Sequence, residues 1–129
     1  MPIFKGNKLI RDNYIEVLAA KNITVHSRIV TGQELQAELR SKLIEEANEV
    51  AQTKNKEDLM LELADVLEVV DALCHAHDIS ITEVQEVQAK KRAERGGFFK
   101  GILCTTFEVA EDNQAIMYYR SRPTDYPEI

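Results

Sequence analysis

Four carboxylates stand out because of their neighbours. Glu46 and Glu49 lie three apart in one stretch, and Glu62 and Asp65 lie three apart in the next. At about 100° per helical residue, Leu35, Leu39, Leu43 and Val50 all fall within about 60° of Glu46. That glutamate therefore sits inside the apolar stripe of its own helix, with Glu49 on the stripe's edge. Glu62 is likewise flanked by Leu59, Val66 and Val69, with Asp65 beside it. An unpaired carboxylate placed among apolar side chains costs several kcal/mol, and four together also repel. Such a cluster is protonated, paired with bases, or gathered around a cation. Oxygen donors without His or Cys suit Mg²⁺ or Mn²⁺ better than Zn²⁺. Acidic pairs at this spacing are also common on solvated helix faces. That reading covers Glu34, Glu38, Glu57, Glu68 and Asp71, but it explains Glu46 and Glu62 poorly.

The charge distribution points the same way. The 129-residue chain carries 16 Lys and Arg against 22 Asp and Glu, a net charge of −6. Residues 34–71 alone hold eleven carboxylates and four bases, while the flanks sum to about zero and carry base clusters at Lys5, Lys8, Arg11 and at Lys90, Lys91, Arg92, Arg95. An acidic middle with basic flanks fits a cation with an anion held over it. Lys91 and Arg95 are i, i+4 and so share a helix face, from which both can reach one anion; Lys8 and Arg11 make a second pair. Solvated charge at helix ends is the plainer explanation, and it is preferred for Lys90 and Arg92. The negative balance argues against non-specific binding of a nucleic-acid polymer.

The elements that must position these residues are mainly α-helical. Periodicity gives a helix over roughly 11–21, then an alternating, β-branched run near 23–30 that reads as a short strand. Thr31 with Glu34 forms a capping box opening a second helix over about 32–53. Asn55 caps a third over about 56–76, apolar nearly all round and hence expected to be buried. Ser80 with Glu83 is a second capping box, and the fourth helix ends near Arg95 at Gly96-Gly97. The short 54–56 connection makes the second and third helices antiparallel neighbours, so the two acidic pairs face each other. Residues 102–109 and 115–120, split by the turn at 111–113, read as a C-terminal β-hairpin. The expected architecture is one domain over 1–129, an antiparallel bundle of about four helices with a core at 7–98 and an extension at 99–129.

Glu45-Glu46-Ala47-Asn48-Glu49, twelve residues, then Glu62-Leu63-Ala64-Asp65, resembles the EExxE…ExxD signature of the MazG-like all-α nucleoside triphosphate pyrophosphohydrolases, which include phosphoribosyl-ATP pyrophosphatases and dimeric dUTPases. Asn7-Lys8-Leu9-Ile10-Arg11-Asp12, the stretch Glu62 to Val69, and Lys91 to Phe98 resemble one bacterial branch; Asn13-Tyr14-Ile15 stands where that branch usually reads Lys-Ile-Pro. The resemblance implies Mg²⁺-dependent hydrolysis of a nucleoside triphosphate, or a related phosphoanhydride, to monophosphate and pyrophosphate. It implies Glu46, Glu49, Glu62 and Asp65 as metal ligands. Catalytic roles fall to Glu45 and Glu46, with Glu45 orienting a ligand or helping to activate water. Lys8, Arg11, Lys91 and Arg95 are the substrate-binding candidates, and association into a homodimer or higher oligomer is implied as well.

Two rival functions use the same residues: a non-catalytic helical adaptor whose acidic face binds a basic partner, and an inactive nucleotide-binding sensor. The adaptor requires solvent-facing acids; the sensor requires a broken acidic motif, and none of its positions is missing. Cys74-His75-Ala76-His77 does not make a zinc site, because adjacent helical residues point apart and no second ligand cluster exists. Cys104 is expected to be buried in a strand, and Tyr118 and Tyr119 to pack in a core. No apolar run approaches the roughly 20 residues of a membrane span, and no secretory signal is evident. A cytoplasmic protein is expected.

Overall fold

The computed structural model describes residues 1–129. Its order is α1 (Tyr14–Ala19), α2 (Gly32–Gln52), α3 (Lys56–Ala76), α4 (Ile81–Arg95) and α5 (Ala115–Arg120). The chain divides into two compact units, Met1–Ala93 and Glu94–Ile129.

In the first unit α2 and α3 are the helices that pack along one another. Gln36 Nε2 near the start of α2 donates to the Ala76 carbonyl at the end of α3, 3.2 Å away, so the pair is antiparallel. Leu39 and Val69 are buried between them, with Cys74 and the carboxylate-bearing Glu46. Local chemistry explains the boundaries. Asn55 Oδ1 accepts the Asp58 amide at 2.8 Å and starts α3. The helix ends in a Schellman motif: Asp78 N–H donates to His75 O at 3.3 Å and Ile79 N–H to Cys74 O at 2.9 Å. Asp78 takes the left-handed position at φ 54°, a conformation Asp tolerates better than most residues. Ser80 and Glu83 then form the reciprocal capping box, with the Glu83 amide 3.1 Å from Ser80 Oγ and the Ser80 amide 3.2 Å from Glu83 Oε1.

Several expectations are corrected. No strand exists anywhere in the chain. Residues 23–30 form no regular element and meet no partner strand; β-branched alternation without a ladder partner makes no strand. The C-terminal β-hairpin is absent as well. The turn at 111–113 is present, with Asn113 N–H donating to Ala110 O at 2.9 Å. Asn113 Oδ1 then accepts the Ala115 amide at 2.9 Å, and this side-chain acceptor opens a helix, α5, where a returning strand was expected. Thr31 flanks α2 without capping it: Gly32 sits at φ 57°, and the Glu34 carboxylate is taken by both terminal nitrogens of Arg28.

The four-helix bundle is also not closed within one chain. Every residue of α4 is exposed. α3, expected to be buried all round, leaves Leu59, Met60, Leu63 and Leu67 bare along one face. The first helix is shorter than expected because residues 11–13 belong to the preceding arm. In the second unit Cys104 is exposed and outside any strand. Phe107, Tyr118, Tyr119 and Tyr126 gather into an aromatic cluster, the Tyr119 and Tyr126 rings meeting edge-on at 5.0 Å.

Candidate metal and nucleotide site

The antiparallel α2–α3 pair turns the two acidic stretches toward each other. One carboxylate oxygen from each of Glu46, Glu62 and Asp65 lies within 4.8 Å of the others. Glu46 is 8% exposed, so a side chain that would be solvated on an ordinary acidic helix is buried here. Glu62 and Asp65 are half-buried. Glu49 is exposed and stands outside this tight group, though its charge acts on Glu62. Burial pushes the Glu62 carboxyl above its ordinary value, and the charges of Glu49, Asp65 and Glu46 push it further in the same direction.

Bases answer part of this charge. Lys42 Nζ lies 3.2 Å from Glu45 and 3.4 Å from Glu46, one turn back on α2. Lys8 Nζ reaches the other Glu45 oxygen at 3.1 Å. Burial raises the Glu45 carboxyl, but the hydrogen bonds from Lys8 and Lys42 outweigh it and hold the group below the usual carboxylate range. Arg11 Nη2 pairs with Asp65 Oδ1, and that hydrogen bond raises the guanidinium's pKa further. Glu62 receives no base. Lys8, Ile10, Arg11, Tyr14, Lys42, Glu46, Asp65, Glu68 and Val69 line a cleft of about 280 Å³ over this corner.

The structure thus brings together Glu45, Glu46, Glu62, Asp65, Lys8 and Arg11. Lys91 lies elsewhere, along a shallow apolar groove on α4 with Ile79, Val84 and Val87, and pairs with none of the site's carboxylates. Arg95 is the last residue of α4. Lys42 and Tyr14 were not singled out from the sequence. The signal for Lys42 was present, since i, i+3 and i, i+4 spacing places it beside Glu45 and Glu46. Nothing in the sequence marks Tyr14.

The donor set fits a hard divalent cation. It is made only of oxygens, it is partly desolvated, and its acidic neighbours push the Glu62 carboxyl above its ordinary value, a repulsion that a bound cation would relieve. The profile of the family described as phosphoribosyl-ATP pyrophosphohydrolase matches residues 12–92. The chain belongs to that family. It is thereby a member of the MazG-like all-α nucleoside triphosphate pyrophosphohydrolases, and its general role is that of a nucleotide pyrophosphohydrolase. No curated protein and no solved structure gives a significant match. The matched region contains the whole acidic cluster but not Lys8 or Arg11, nor Arg95 and the aromatic unit. No helix is long and apolar enough to cross a membrane.

Proposed function

We propose that the chain hydrolyses a nucleoside triphosphate, or a related phosphoanhydride such as the family's phosphoribosyl-ATP, to a monophosphate and pyrophosphate with Mg²⁺ as cofactor. The observation that carries this reading is the buried Glu46 carboxylate set against Glu62 and Asp65 across the α2–α3 interface. Glu46, Glu62 and Asp65 are assigned to hold the cation, with Glu49 completing the set from the rim. A divalent cation there supplies charge neutralisation for the polyphosphate and a more acidic water.

The chain's own residues supply the rest. Glu45, held ionised by Lys8 and Lys42, is a carboxylate able to accept a proton from the attacking water. Attack on the first phosphorus forms one P–O bond and breaks the bond to the bridging oxygen, which leaves with pyrophosphate. Lys8 and Arg11 lie at the mouth of the same cleft and are assigned to the phosphates. Lys91 and Arg95 are retained as further phosphate contacts; Lys91 does not line the cleft within one chain, so in this reading the pair serves a site completed by association.

The buried position of Glu46 opposes the adaptor reading, which requires its acids in solvent. The deciding assay offers each nucleoside triphosphate, and phosphoribosyl-ATP, with Mg²⁺ and separates pyrophosphate from orthophosphate. Pyrophosphate release dependent on Mg²⁺ is expected. Orthophosphate alone, or nucleotide binding without turnover, would overturn the proposal, the latter in favour of the sensor.

A further inference from the structure

The N-terminal arm does something that its assignment to substrate does not require. It crosses the helix pair, with Lys8 on Glu45 of α2 and Arg11 on Asp65 of α3. Asn7 enters at φ 52° beside Gly6, where an added Cβ would meet nothing within 4 Å, so the chain bends sharply just before Lys8. Leu9 and Ile10 are half-buried and anchor the arm, while both charged heads remain more than half exposed. The arm lies outside the matched family region.

We propose that this arm is a counter-ion strap. In the cation-free chain Arg11 takes the place of a metal against Asp65 while Lys8 holds the arm to Glu45; cation binding displaces Arg11, and nucleotide then draws both heads to the phosphates. The inference rests on the metal and substrate assignments above and adds the coupling between them. A carboxylate oxygen engaged by Arg11 is not offered fully to a cation, so Arg11 and metal compete for Asp65. A polyphosphate resolves that competition by giving the guanidinium a bidentate acceptor. Metal and nucleotide then bind with positive coupling, each removing a cost of binding the other. Glu45 behaves differently, because Lys42 remains on it when Lys8 leaves.

The test is Mn²⁺ binding by calorimetry without nucleotide, on the full chain. Arg11→Ala should bind Mn²⁺ about two- to five-fold more tightly than the parent, the factor by which an exposed ion pair of ordinary strength shifts an equilibrium. Lys8→Ala should show a smaller gain. With Mn²⁺ present, both variants should bind a non-hydrolysable triphosphate more weakly than the parent. Arg11→Lys, which keeps the charge, should lie between parent and Arg11→Ala in Mn²⁺ affinity. In the unmodified protein, Mg²⁺ alone should move the Arg11 Nε–H resonance toward that of a solvated guanidinium. Unchanged or weaker Mn²⁺ binding by Arg11→Ala, or an Arg11 resonance indifferent to Mg²⁺, would overturn the strap while leaving the pyrophosphohydrolase reading intact. A parent chain that binds no Mn²⁺ would overturn the metal assignment and the strap together.

Discussion

Glu62 is the residue whose removal is most informative, because it carries repulsion that no base relieves. Its carboxyl is pushed above the ordinary value near 4.5, first by burial and then by its acidic neighbours. Between that value and its folded pKa the native chain holds a proton that the unfolded chain has released. Metal-free stability from this group is therefore present at low pH and lost as pH rises through the folded pKa. Glu62→Gln keeps the shape and deletes the charge. It should melt like the parent below about pH 4.5 and increasingly above the parent as pH rises, without metal. With metal, the Mg²⁺-induced rise in melting temperature should shrink and pyrophosphate release should fall by orders of magnitude. Asp65→Asn should lose turnover equally but gain little metal-free stability, since relief of repulsion is offset by loss of the Arg11 ion pair. Asp71→Asn is the control. It is exposed and half a turn from Glu62, and turnover should survive. Metal-free and metal-loaded melting beside product assays on the three variants checks this; retained turnover in Glu62→Gln would place the site on the wrong face.

At the scale of the elements, α2 and α3 matter as rigid rulers that fix the distance between the acidic pairs. Their starts are secured unequally. Asn55 makes a side-chain cap bond to α3, whereas Thr31 makes none to α2. Asn55→Ala should therefore cost about 1 kcal/mol of stability, and Thr31→Ala only a few tenths. Urea denaturation of the two variants separates them. Equal losses would mean that Thr31 stabilises α2 by a route its hydrogen bonding does not reveal. A fraying first turn of α3 lies close to Glu62, so Asn55→Ala should also weaken Mg²⁺-dependent stabilisation slightly.

At the scale of the whole molecule, one chain buries too little. Leu59, Leu63, Leu67 and Met60 fall within about 100° of one another around α3 and are 37%, 45%, 65% and 60% exposed. Ile44 on α2 is 64% exposed. A continuous apolar face of this kind is the mark of an interface. The chain is expected to be a homodimer or larger, with α3 against α3 or against another helix of a second copy. Leu67→Glu, which places a charge in the middle of that face, should shift the sedimentation profile to monomer at micromolar concentration. Because Lys91 and Arg95 lie on a helix that no other helix covers within one chain, the same variant should also raise KM. A parent chain that sediments as a stable monomer would oppose both expectations.

Helices with internal start and stop signals could be read from the residues alone. α3 begins at Asn55's cap and ends at the Asp78 turn, α4 begins at the Ser80–Glu83 box, and Gly96 at φ 81° follows its last residue. These depend on interactions three or four residues apart, which the sequence displays directly. The anomalous placement of Glu46 was legible for the same reason, since helical angle is a local property. Strand formation was not, because a ladder needs a partner distant in the chain, and the runs at 23–30 and 102–109 found none. The burial of α3 was overestimated because apolar composition states that cover is needed without saying which chain supplies it. The fold, not local spacing, leaves Glu62 among acids without a base while Arg11 goes to Asp65. Fifty-four residues separate those two partners, and no spacing rule spans such a distance.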